Sequence, residues 1–155
     1  MCPVKTLANP RDKDEIVQRL GMIGPDSQRR WGVMTAAEMI CHLSDAFLVG
    51  MGERAVKDAK APTSRPVFKG IVLWFPMPWP HGVPTVPESD ARRDGTRPTE
   101  IDTDMARLLA VMDRFTRQPR SFPLQPHPIF GRMTEADWMR WGYRHTDHHL
   151  KQFGA

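Results

Sequence analysis

The sequence predicts an all-α protein, a helical bundle whose crossovers are long and rich in proline. Three observations predict it. Apolar residues recur at three- and four-residue spacing along several stretches. Helix-start patterns stand ahead of three of them, at Asn9-Pro10, Thr35–Glu38 and Thr134–Asp137. No run alternates in the way a half-buried strand requires, and no segment repeats. With 155 residues the chain is one domain's worth, and residues 1–155 are expected to share one core.

The first helix is expected over 10–22. Asn9 can cap free N–H groups, Pro10 suits the first helical position, and Ile16, Val17 and Leu20 fall on one side before Gly24-Pro25. Thr35 and Glu38 form a capping-box pattern ahead of a second helix over 35–52, apolar nearly all round and so well buried. A short third helix fits 65–75. Residues 61–98 hold eight of the 15 prolines, and PMPWPHGVPTVPE cannot be regular helix, because each proline removes a donor and clashes with the preceding turn. Trp74, Phe75 and Trp79 predict that this long segment packs onto the body and covers a cavity. Glu100 to Arg117 reads as a fourth helix, with Met105, Leu108, Leu109, Met112 and Phe115 at helical spacing. A last helix starts at Thr134 and runs to about Phe153, closed by Gly154.

Composition excludes several classes. Cys2 and Cys41 are too few for a disulfide framework and read as reduced thiols. The first residues lack the apolar core of a secretory signal, and no apolar run reaches the ~18 residues of a membrane span, so a cytoplasmic location is expected. The net charge of +4 is spread over 22 basic and 18 acidic residues with no tract, which points away from nucleic acid.

The histidines carry the chemistry. At roughly 100° per residue, His145 and His149 project only about 40° apart, on a stripe shared with Trp138, Trp141, Gly142 and Gln152. Arg140, Arg144, Asp147 and Lys151 fall opposite, on the expected solvent side, and His148 is turned to the polar boundary. Two inward imidazoles one turn apart can chelate a cation, or can simply be hydrogen-bonded core residues. His42 lies on the second helix on a face with Thr35, Met39, Ala46 and Val49, so it also points into the bundle. Inward histidines on facing helices are how bundles build metal sites, and three such ligands leave a fourth position open. The candidate metal ligands are therefore His42, His145 and His149. Asp45 and Gln152, each one turn from a candidate ligand, either orient it or are ordinary boundary residues. Glu38 reads as a capping residue rather than a base, and His81 as an exposed loop residue near the mouth of the site.

The phrases MTAAEMICHLSDAF and WGYRHTDHHLKQFG, with His42-Leu43-Ser44-Asp45 in one and His145 to His149 in the other, resemble the DinB/YfiT-like superfamily, in an uncharacterised bacterial branch. The resemblance spans nearly the whole chain in helix order. It implies a four-helix bundle of up-down-down-up connectivity with three histidines holding a divalent metal, nickel or zinc first, iron or manganese after them. It also implies a homodimer and a small-molecule substrate, with a low-molecular-weight thiol as co-substrate. The expected activity is that of a thiol-dependent S-transferase or a metal-assisted hydrolase. The alternative is a non-catalytic small-molecule-binding or dimeric stress-response module with a structural or vestigial metal. The proline-rich loop between the second and fourth helices is longer than that pattern, so the pocket it shapes is this chain's own.

Overall fold

The computed structural model describes residues 4–57 and 66–155; the reading of Cys2 as a free thiol and the expected start of the third helix at residue 65 lie outside them. Among the described residues there are five α-helices, one short 3-10 turn and no strands. The helices are α1 (Pro10–Leu20), α2 (Ala36–Met51), α3 (Pro66–Trp74), α4 (Ile101–Thr116) and α5 (Glu135–Gln152), with the 3-10 turn at Pro87–Ser89. Each helix lies within two residues of its expected bounds. None of the described helices is long and apolar enough to cross a membrane.

Local chemistry fixes where the two central helices begin. Thr35 accepts from the Glu38 N–H while the Glu38 carboxylate takes the Thr35 N–H, and Thr134 and Asp137 do the same for α5. Glu38 is thus the capping residue expected. Asn9 caps α1 by accepting from Arg11 N–H. α1 stops at Leu20, two residues before its expected end, where Met22 and Ile23 donate to Arg19 and Leu20 in a tighter turn.

α2 packs on both α4 and α5, and α1 and α3 pack on α5. The centre of the core is aromatic: Phe47 and Phe115 lie 5.0 Å apart, and Phe115 and Trp138 5.8 Å, centroid to centroid. Small residues let these rings approach. A Cβ at Gly50 would stand 2.9 Å from the Trp138 ring, and one at Gly142 2.7 Å from Leu7. Cys41 is buried at 0% exposure, and burial pushes its thiol up to about 11, which makes it inert at neutral pH.

The polar side of α5 departs from the sequence reading. Only Lys151 of the four residues assigned to solvent is exposed. Arg140 is buried and donates to the carbonyls of Leu73 (2.8 Å) and Lys5 (2.7 Å). Arg144 donates to Val72 and Phe75 (2.7 Å each) and to Met77. The reason lies in α3, whose last carbonyls have no partners within their own helix, so the two guanidinium groups of α5 serve them. Asp147 is half-buried and pairs with Arg19 of α1 at 2.8 Å. This clamp fastens the proline-rich segment to the bundle. Trp79 Nε1 adds a bond to the Val72 carbonyl at 3.0 Å. Trp79 therefore packs inward as expected, and Trp74 is anchored through Asp137 at 2.9 Å, whereas Phe75 stays 56% exposed.

Candidate metal centre

His42 sits seven residues after the α2 cap, and His145 eleven after the α5 cap. These spacings are two and three helical turns, so the caps set the phase that brings the imidazoles face to face. His149 follows one turn later. The three rings form a nearly equilateral triangle, with centroids 5.0 Å (His42–His145), 4.7 Å (His42–His149) and 4.9 Å (His145–His149) apart. One ligand atom from each lies within 4.8 Å of the others.

Hydrogen bonds fix two of the tautomers. His42 Nδ1–H donates to the Ser89 carbonyl at 2.8 Å, so its Nε2 carries a free lone pair. His149 Nδ1–H donates to Gln152 Oε1 at 2.9 Å, while Gln152 Nε2 donates to the Trp31 carbonyl at 2.9 Å and so fixes which way the amide faces. His42 Nε2 and His145 Nε2 stand 3.0 Å apart. With the His42 proton on Nδ1, His145 must donate from Nε2, which leaves His145 Nδ1 as a buried atom with no partner. Burial holds all three histidines below their ordinary pKa. For His145 and His149 the neighbouring imidazoles push further in the same direction. The cluster is therefore neutral at pH 7, and the lone pairs on His42 Nε2 and His149 Nε2 outnumber the one proton that His145 Nε2 offers.

This donor set suits a single transition metal. Two imidazole nitrogens at about 2.1 Å from one ion lie roughly 3.0 Å apart at a right angle and roughly 3.4 Å apart at the tetrahedral angle. The 3.0 Å His42–His145 contact already falls at the lower of these.

Other sequence-predicted residues divide. Gln152 orients His149. Asp45 does not touch His42; it is 1% exposed and accepts from Thr96 N–H and Oγ1 (2.7 Å each) and pairs with Arg54 at 3.2 Å. The long segment after α3 returns past α2 and presents Thr96, so Asp45 anchors the loop instead. His148 stays outside the cluster. It lies at the cavity mouth, with Trp31, Trp79 and His81 at centroid distances of 5.8, 6.1 and 6.0 Å. His81 is exposed, as expected, and stacks flat on Trp31 at 3.9 Å.

Ser89 and His127 were not signalled by the sequence. Ser89 acts through its backbone carbonyl, which no side-chain pattern reveals. His127, in a Pro-His-Pro setting, is buried and accepts from the N–H groups of Ile129 (3.0 Å) and Phe130 (3.3 Å), and burial lowers it to about 3. It folds a connector and lines a cavity of about 630 Å³ in front of the cluster. Trp31, Val49, Val72, Trp79, Phe130 and Trp141 give this cavity mainly apolar walls.

A helical bundle with three neutral imidazoles converging at the inner end of an apolar cavity defines the class: an all-α protein with a buried three-histidine cluster that could hold a metal ion. The family model for a protein of unknown function, DUF1569, matches residues 57–155, and the chain belongs to that family. The family is placed in the DinB/YfiT-like clan, in keeping with the resemblance seen in the histidine motifs. His145 and His149 lie within the match, and His42 precedes it. Searches of the curated proteins and of the solved structures find no match.

Proposed function

We propose that His42, His145 and His149 hold one divalent transition metal, nickel or zinc before iron or manganese. We further propose that the protein is a metal-dependent enzyme acting on a small molecule in the adjoining cavity. The observation that carries the reading is the triangle of neutral imidazoles with one side open to a cavity of about 630 Å³. Structural metal sites are closed by four protein ligands, whereas three ligands and an accessible face are the arrangement of sites that engage a substrate.

The chain's own residues have definable parts. The Ser89 carbonyl and Gln152 hold His42 and His149 with Nε2 deprotonated. Trp141 lies against the His145 ring at 4.8 Å, and Trp79 tilts over it at 6.3 Å, so both exclude water from that side. A bound ion of this kind supplies Lewis acidity, lowering the pKa of a water or thiol that reaches it. The resemblance to the DinB/YfiT-like proteins favours the thiol, and hence S-transfer from a low-molecular-weight thiol to an electrophile, over hydrolysis.

The test is turnover of a panel of small electrophiles by metal-loaded protein, with and without added low-molecular-weight thiol. Thiol-dependent turnover that disappears on chelation supports the transferase reading. Turnover that is independent of thiol assigns the hydrolase, and none with either contradicts the enzymatic reading.

A further inference from the structure

The cavity's polar groups are not evenly placed. Apart from the histidines and Gln152, the polar side chains among its lining residues are Thr85, Ser89, Asp90, Arg92 and Arg93, all from one segment. That segment is held rigidly. Arg93 N–H donates to the Asp90 carbonyl (2.9 Å), Asp94 N–H to Pro87 (3.1 Å) and Gly95 N–H to Asp90 (2.9 Å). From outside, Arg54 donates to the Glu88 carbonyl at 2.5 Å and to the Asp94 carbonyl at 2.9 Å.

Two groups on this segment are left over. Ser89 is 2% exposed, yet its hydroxyl has no hydrogen-bond partner among the described residues. A buried unsatisfied hydroxyl costs about 1–3 kcal/mol, a cost removed when a ligand supplies the partner. Arg93 is the other. Asp90 accepts from Arg92 N–H at 2.9 Å and faces the Arg92 guanidinium at 3.4 Å, so those two charges answer each other. The Arg93 side chain has no hydrogen bond or ion pair among the described residues and acts on Asp90 only through its field, so one carboxylate faces two guanidinium groups and the rim carries one positive charge in excess.

We infer that the cavity binds a small organic anion with an apolar, ring-bearing body and a carboxylate: the body lies between the Trp31 and Trp79 walls, the carboxylate meets Arg93 at the rim, and a polar atom at the inner end completes the Ser89 hydroxyl beside His42. This rests on the reading of the cavity as a small-molecule site and extends it to the class of molecule. A planar guanidinium pairs with a carboxylate through two parallel bonds, and an amide of the same shape cannot replace that charge. Rings stack on indole faces, and an apolar wall rewards a body that displaces water.

The experiment is calorimetric titration of the full chain with 6-hydroxy-2-naphthoate, whose hydroxyl can reach Ser89, and with its neutral counterpart 6-hydroxy-2-naphthamide. It is run on protein as purified and after metal removal, for the wild type, Arg93→Gln and Ser89→Ala. Arg93 is exposed, so its replacement leaves the fold intact. The expected result is naphthoate binding about tenfold tighter than naphthamide in both metal states, a preference that Arg93→Gln reduces to within about twofold. Ser89→Ala is expected to weaken both ligands by a few-fold without changing their ratio. Equal binding of the two ligands, or no binding of either, overturns the inference. So does a preference that survives Arg93→Gln, or one found only with metal present, since the carboxylate would then be held elsewhere. Because metal-stripped protein is titrated separately, failure of metal binding and failure of anion binding are distinct results.

Discussion

The inner face of α5 and the segment from Pro76 to Pro98 contribute to the same cavity by opposite means. On α5 the backbone satisfies itself, and a three- or four-residue spacing decides what faces inward: Trp138, Trp141, His145 and His149 follow from phase alone. The proline-rich segment satisfies itself only in part, around Pro87–Gly95. Several of its carbonyls are served by side chains from elsewhere, namely Arg54, Arg144 and the His42 ring. The helix thus supplies two of the candidate ligands and the amide that orients one of them, and the loop supplies the carbonyl that orients the third, His42 of α2, and what a ligand meets at the rim. A site of this kind can keep its three histidines while the molecule it accepts changes with the loop.

The largest effect expected from this division is on metal binding. His42→Ala, His145→Ala and His149→Ala should each weaken metal affinity by about a thousandfold or more, because each removes one of three donors. His148→Ala, adjacent in sequence but roughly 100° around the helix, should change it by less than about twofold. Circular dichroism first establishes that each variant is helical; metal titration then decides. Loss of metal in His148→Ala with retention in His149→Ala contradicts the phase argument.

The clamp between the two regions comes next. Arg140→Ala removes two charge-assisted bonds to buried carbonyls and should cost about 2–3 kcal/mol, lowering Tm by roughly 5–10 °C. If Tm is unchanged, Arg144 and packing hold α3 and the loop without Arg140.

A smaller difference separates the two residues placed one turn from candidate ligands. Gln152→Ala should weaken metal affinity about 10- to 100-fold by freeing the His149 tautomer. Asp45→Asn should leave affinity nearly unchanged and lower stability instead, since Asp45 holds Thr96 and Arg54. The reverse pattern in metal titrations and thermal melts contradicts the assignments.

A further effect appears only in acid. His127 is buried neutral, with a folded pKa of about 3 against an ordinary 6.5. Its stabilisation is therefore fully present above pH 6.5 and lost progressively between 6.5 and about 3, at up to roughly 1.4 kcal/mol per pH unit. The cluster histidines act in the same direction in metal-free protein. His127→Gln should consequently be less stable at pH 8 but flatter with pH between 6.5 and 4 in denaturant unfolding. An unchanged slope means that His127 is solvated in the native state.

These contrasts explain how much the sequence disclosed. Helix starts were legible because Thr35 with Glu38 and Thr134 with Asp137 write their capping bonds in side-chain chemistry. The His42, His145 and His149 convergence was legible because helical phase is a local property. Arg140 and Arg144 were misplaced because charge at a helix face argues for solvent unless a second segment brings carbonyls to it, and only the tertiary fold shows that. Ser89 was silent for a similar reason: its contribution to His42 is a backbone carbonyl. Asp45 had the spacing of an orienting carboxylate, but Thr96, 51 residues on, reaches it instead.

The central claim is that three neutral histidines make one metal site. Elemental analysis of protein purified without a His-tag, before and after incubation with nickel or zinc, tests it most directly. The account predicts about one transition metal per chain in the wild type and far below one in His145→Ala. A wild-type protein that remains helical and holds no metal after incubation, or one whose metal content is unaffected by His145→Ala, contradicts it.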